Sequence, residues 1–209
     1  MRKYLVEFIG TFFLVTTIGC VVIAPGDAGA MAPLAIGAVL MVMVFAGGHV
    51  SGAHYNPAVT ISVALRGKCG MSDVPGYIVA QCAAAAVAAL AVGFLKGYPA
   101  VTPMQIDASR ALLAEFLFTF ALCGVVLNVA TCKGTSGNSF YGLAIGFTVL
   151  AGAYSVGPIS GGAFNPAVTL GATMMGLFSV GNLWVYLVAQ FVAAVAAAMV
   201  FKVINPDDV

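Results

Sequence analysis

Asparagine followed by proline and alanine occurs twice in the chain, at Asn56-Pro57-Ala58 and at Asn165-Pro166-Ala167. Each triplet sits in a longer near copy, Gly52-Ala53-His54-Tyr55-Asn56-Pro57-Ala58-Val59-Thr60 and Gly162-Ala163-Phe164-Asn165-Pro166-Ala167-Val168-Thr169. Asn is a favoured N-cap because its side-chain oxygen accepts from the first free amides of a helix, and Pro suits the first helical position, where no amide is needed. Both stretches read as helix starts in apolar surroundings. The leading N–H groups of a helix inside a bilayer find no water unless the start lines a wet cavity or is buried in protein. Two such starts point to a polar file across a membrane, with hydrogen bonding as its chemistry.

The rest of the chain agrees. With 62% hydrophobic and 7% charged residues, and a mean hydropathy of +1.07, it is a polytopic membrane protein rather than a soluble domain. The net charge of +1 is uninformative about partners, and no nucleic-acid partner is expected. Apolar runs of spanning length number six: Tyr4 to Ile23, Pro33 to Val50, Val74 to Leu95, Ala111 to Cys132, Phe140 to Val156 and Asn182 to Phe201. Glu7 inside the first run, and the spans that follow it, favour an uncleaved helix over a signal peptide. The cysteines show no CxxC pairing; Cys20, Cys82, Cys123 and Cys132 read as small buried hydrophobes and Cys69 as a loop thiol. No cofactor or metal is expected.

A repeat organises the spans. Asn56 and Asn165 lie 109 residues apart, and the same offset relates Leu34-Ala35-Ile36-Gly37 to Leu143-Ala144-Ile145-Gly146 and Tyr77 and Gln81 to Tyr186 and Gln190. Glu7-Phe8 and Glu115-Phe116 correspond at 108. The chain reads as a single channel domain, 1–209, whose halves, about 1–100 and 108–209, each carry three spans and one Asn-Pro-Ala segment. An odd number of spans per half sets the halves antiparallel in the membrane. Arg2, Lys3, Arg66, Lys68, Lys133 and Lys202 then share one side, against Lys96 and Arg110 on the other, which predicts cytoplasmic termini in a plasma or inner membrane. The segment after Asn56 must be re-entrant, because Arg66 lies on the side where the second span ended. As a helix to Arg66 it is ~16 Å long, about half of a ~30 Å hydrocarbon core. The second is expected from Asn165 to roughly Gly176, and Ser72-Asp73-Val74-Pro75 reads as the capped start of the third span.

Paired Asn-Pro-Ala boxes, six spans and an inverted repeat resemble the aquaporin, or major intrinsic protein, family over essentially the whole chain. The resemblance implies an all-α membrane fold of six transmembrane helices plus two half-helices meeting end to end at mid-membrane, and usually a homotetramer with one pore per subunit. The bottom-up reading of the boxes agrees. Two helix N-termini facing one point each carry about half a positive charge and repel cations where little water screens them. The Asn56 and Asn165 amides can donate to a passing water, and extended backbone at Gly52, Ala53, His54 and Tyr55, and at Gly161, Ala163 and Phe164, can turn carbonyls into the lumen.

The resemblance also implies an outer constriction, which in water-selective members holds Arg three residues after the second Asn. Here Val168 stands there, and the remaining slots fall on Ile36, Ala153 and Gly162. Tyr154 is the alternative occupant of the Ala153 slot. Losing a guanidinium and an imidazole widens a constriction and removes donors, which predicts a wide, apolar filter. Glycerol channels of the family typically carry Asp four residues after the second Asn, where this chain has Thr169, so the subgroup markers disagree. The same pattern implies that Glu7 and Glu115 hold the re-entrant loops, with Gln81 and Gln190 bracing beside them, rather than binding ions. Trp184 and Tyr186 read as interface anchors.

The expected function is passive passage of water and small uncharged solutes. The alternatives are a glycerol, urea or ammonia facilitator with water secondary, and a non-conducting scaffold. A coupled transporter would want a carboxylate in the re-entrant segments, and neither 47–65 nor 157–181 contains Asp or Glu. An intramembrane hydrolase would need a Ser/His or Asp/Asp pair, and the sequence shows no partner for Ser51 or Ser160 that reads as such a base.

Overall fold

A chain segment in hydrocarbon must close its backbone hydrogen bonds within itself, so apolar runs of this length become helices. The computed structural model describes residues 1–208. Among them six long helices form: α1 (Arg2–Val22), α2 (Ala32–Ser51), α4 (Val74–Lys96), α5 (Ala108–Val126), α6 (Tyr141–Ser160) and α8 (Leu183–Ile204). Two short helices, α3 (Pro57–Leu65) and α7 (Pro166–Met174), stop within the bundle. α5 continues as a wider π turn over Leu127–Thr131, where Asn128 and Thr131 donate back to the Gly124 and Leu127 carbonyls. α7 is shorter than expected: its backbone leaves the helix at Met175 and turns at Gly176 in the left-handed region.

The halves are interleaved. α3 packs against α8 and α7 against α4, so each short helix is lodged in the other half of the chain. α2 and α6 cross where a side chain at Gly37 would begin 2.8 Å from the Gly146 carbonyl oxygen, and one at Gly146 would begin 2.5 Å from that of Gly37. The glycines of the repeated Leu-Ala-Ile-Gly stretch thus let two backbones touch, the usual device for tight packing between helices that gain nothing from hydrophobicity in lipid. Large apolar side chains such as Val79, Leu90, Phe94, Leu117 and Val192 cover the outside.

Two terminal features differ from expectation. Asp73 precedes α4 but makes no side-chain cap; its carboxylate pairs with Lys3 at 2.5 Å and accepts from the Tyr4 hydroxyl at 3.0 Å, tying the start of α1 to α4. Tyr186 is no interface anchor: it is 1% exposed, stacks on Phe178 and donates its hydroxyl to the Ser160 carbonyl at 2.7 Å, whereas Trp184 is exposed. Tyr77 makes the equivalent bond to Ser51, so this tyrosine pair clamps the ends of α2 and α6. At the base of α3, the buried Arg66 pairs with Asp208 at 2.8 Å and lies over the Phe201 ring. The Lys133 backbone N–H, with Arg66 beside it, holds the Asp208 carboxyl below its ordinary range.

Candidate functional site

The site is built from the two loops that deliver α3 and α7. α2 and α6 end at Gly52 and Gly161, both at φ 86°. Ala53 (φ 51°) and Tyr55 (φ 49°) follow in one loop, Gly162 (φ 65°) and Phe164 (φ 50°) in the other. The expected extended backbone is therefore replaced by left-handed turns. A left-handed L-residue costs about 1–2 kcal/mol, so something must offset three of them per loop, if less for glycine. The compensation is a buried carboxylate. Glu7 accepts from the Ser51 hydroxyl (2.7 Å), the His54 and Tyr55 backbone N–H groups (2.9 and 2.6 Å) and Gln81 (2.8 Å). Glu115 repeats this with the Ser160 hydroxyl (2.7 Å), the Ala163 and Phe164 N–H groups (3.0 and 2.7 Å) and Gln190 (2.9 Å). Gln81 and Gln190 also donate to Thr60 and Thr169, whose hydroxyls bond the Asn56 and Asn165 carbonyls. The Thr at the position where glycerol channels typically carry Asp is thus part of this brace.

Each asparagine has three tasks. Asn56 Oδ1 accepts from the Ala58 and Val59 N–H groups at 2.8 and 3.4 Å, and Asn165 Oδ1 from those of Ala167 and Val168 at 2.9 and 3.4 Å, so both are true N-caps. Asn56 Nδ2 donates one hydrogen to the Phe164 carbonyl (2.9 Å), and Asn165 Nδ2 donates one to the Tyr55 carbonyl (2.8 Å). The second amide hydrogen of each remains. With the oxygen engaged by backbone, what each asparagine has left for the lumen is a donor.

These bonds also correct the set of lumen carbonyls. Tyr55 and Phe164 are buried, their carbonyls are taken by the opposite asparagine, and neither lines the two spaces that flank the asparagines. Ala53, His54, Gly161 and Ala163 line a cavity of about 320 Å³ on the side away from the termini, together with Asn56 and Asn165. Gly52 lines a wider vestibule of about 1060 Å³ on the termini side. His54 and Val126 border both spaces, so the two meet beside these residues. Ile36, Ala153, Gly162 and Val168 all fall on the wall of the smaller cavity. Tyr154 points elsewhere: its ring is half exposed and its hydroxyl bonds the Ala30 carbonyl at 2.9 Å. Glu7 and Glu115 touch neither space, their oxygens being consumed by the loops.

Among the residues of the smaller cavity that the sequence reading missed are Thr102, Met104, Leu177 and Phe178. They lie in connectors, and nothing in their local pattern marks them. All five cysteines are free, and among the described residues none lines this cavity, whereas Cys69 and Cys132 line the vestibule. A membrane-impermeant mercurial is therefore expected to slow conduction only from the termini side, and the Cys69→Ser, Cys132→Ser double variant to be insensitive. Block from the opposite side, read by stopped-flow shrinkage of oriented vesicles, would contradict this.

Six spanning helices, two half-helices entering from opposite faces, and cross-bonded amides where they meet define a transmembrane channel rather than an enzyme. Residues 1–201 match the family described as Major intrinsic protein, and the chain belongs to that family. It is 39% identical to "Glycerol uptake facilitator protein-like 6" of Lactiplantibacillus plantarum, over the whole of both chains. It is 36% identical to "Aquaporin NIP1-4" of Oryza sativa subsp. japonica, over 98% of this chain and 77% of that one. Among solved structures, the aquaglyceroporin from Plasmodium falciparum superposes with a TM-score of 0.81 at 25% identity, covering 98% of this chain and 97% of that one. The protein is a multi-pass membrane channel for passive movement of water and small uncharged solutes.

Proposed function

We propose that the channel selects by width and passes neutral solutes up to about the size of glycerol alongside water, through a constriction formed by Ile36, Ala153, Gly162 and Val168. The observation that carries this reading is that these four residues, all apolar and none of them cationic, share one cavity wall with the two asparagines at its inner end. Such a wall offers a dehydrating solute room and apolar contact, with few donors to favour water over a polyol. The printed names of two relatives, a glycerol uptake facilitator and an aquaglyceroporin, accord with it.

Selectivity against ions resides one level deeper. α3 and α7 aim their N-termini at the asparagines, which places positive ends of two helix dipoles at the waist and raises the energy of any cation there. A water at the waist meets donors from Asn56 and Asn165, so it accepts with its oxygen and points its own hydrogens away along the file. A proton cannot be relayed through a molecule held in that orientation. Glu7 and Glu115, with Gln81 and Gln190, keep the loops in register for this task. The backbone carbonyls of Gly52, Ala53, His54, Gly161 and Ala163 serve as acceptors on either side of the waist.

The distribution of Lys and Arg supports termini in the cytoplasm and residence in a plasma membrane. The broad apolar outer faces suit assembly into a homotetramer within the bilayer. The deciding experiment is stopped-flow light scattering on proteoliposomes challenged with a panel of water, glycerol, urea and ammonia. Accelerated water and glycerol equilibration without ion conductance is expected. No acceleration with any member of the panel would end the proposal.

A further inference from the structure

The connector between the halves is more than a spacer. The Met104 backbone N–H donates to the Leu177 carbonyl at 2.9 Å, and the Leu177 N–H in turn closes onto the Ala172 carbonyl of α7, also at 2.9 Å. Val101 lies against Gly176, 3.4 Å from where a side chain there would begin, and Met104 Sδ lies 3.7 Å from the equivalent point on Gly161. The connector is thereby strapped to the turn that ends α7, and it brings Thr102 and Met104 onto the same wall as Ile36, Ala153, Gly162 and Val168. The polar side chains of that wall are few. Asn56 and Asn165 are cross-bonded to the opposite loops, and His54 faces Thr60 at 3.2 Å. Thr102 is exposed at the mouth and its hydroxyl makes no hydrogen bond to protein among the described residues.

Building on the proposed solute reading, we propose that the connector is the outer rim of the solute filter and that Thr102 and Met104 are specificity-determining residues for neutral polyols. A polyol entering an apolar constriction sheds water from several hydroxyls at once, and each lost hydrogen bond raises the barrier unless a protein group replaces it. The Thr102 hydroxyl, which both donates and accepts, stands where that exchange begins. The Met104 thioether, flexible and apolar, sets how wide a solute the rim admits. Neither residue belongs to a half-helix or to the Asn-Pro-Ala boxes.

Both side chains can be changed without disturbing the strap, because Thr102 is exposed and Met104 is anchored through its backbone N–H. In proteoliposomes, Thr102→Val is expected to lower the glycerol-to-water permeability ratio about fivefold, the value of one neutral hydrogen bond, and Thr102→Ser to restore it. Met104→Ala is expected to raise the ratio of a five-carbon polyol to glycerol on the order of fivefold, as removal of a few methylenes from a discriminating wall does. An unchanged ratio in either variant, in vesicles where the parent channel conducts glycerol, overturns the rim assignment. If the parent conducts neither water nor glycerol, the proposed function itself has failed.

Discussion

Val168→Arg is expected to reduce glycerol permeability by at least about tenfold while reducing water permeability much less, because a few side-chain atoms at a discriminating wall separate solutes by factors of ten to a hundred. Val168 is 5% exposed and shares the wall of the smaller cavity with Ile36, Ala153 and Gly162. An arginine there would fill part of a space of about 320 Å³ and aim its donors across the lumen. Water, small and able to accept from the guanidinium, still passes; a three-carbon polyol meets both a narrower opening and a fixed charge that orders its hydration. Stopped-flow swelling in water and in glycerol, at matched protein density, separates the two effects. Equal loss of both permeabilities would mean that Val168 is not at the constriction.

Glu115→Gln, and its counterpart Glu7→Gln, should have the other large effect: conduction of every solute should fall by more than about tenfold, with a lower thermal midpoint in detergent. The carboxylate of Glu115 accepts from four donors, two on each oxygen. Glutamine keeps one oxygen and replaces the other with an NH₂, so two buried donors face a donor, and each unsatisfied group costs about 1–3 kcal/mol. The same bonds hold Gly162 and Phe164 in left-handed backbone, so the loop that carries Asn165 has reason to relax once they are lost. Ser160→Ala, which deletes one of the four bonds and leaves the carboxylate, should be much milder. Glu115→Gln conducting like the parent, with the same thermal midpoint, would sink the bracing role.

Much of this was legible in the order of residues because the rules involved are local or periodic. Asn before Pro in an apolar setting announces a helix start, and both starts are capped as that rule requires. The 109-residue offset is matched in the structure by hydrogen bonds from Tyr77 and Tyr186, and from Gln81 and Gln190, at corresponding places, whereas the lodging of α3 against α8 and of α7 against α4 was not legible in it. Tyr186 failed as an anchor for the same reason that Tyr77 would have: aromatic character near a span end does not say which way the ring faces. Likewise, Asp73 has the type and place of a cap, but Lys3 and Tyr4, some seventy residues earlier, compete for its oxygens and win.

By itself, then, the sequence determined the membrane class, the number of spans, the two half-helices and the asparagines at their heads, because hydropathy, length and capping act over a few residues. Only the tertiary structure decided that the loop backbone is left-handed, that the Tyr55 and Phe164 carbonyls face the opposite asparagine instead of the lumen, that Ala153 and not Tyr154 meets the cavity, and that Thr102 and Met104 reach its rim. Each of these depends on a partner about fifty or more residues away, Glu7 or Glu115, the facing loop, Ala30 or Leu177, and a bond across such a span exists only once the helices have packed.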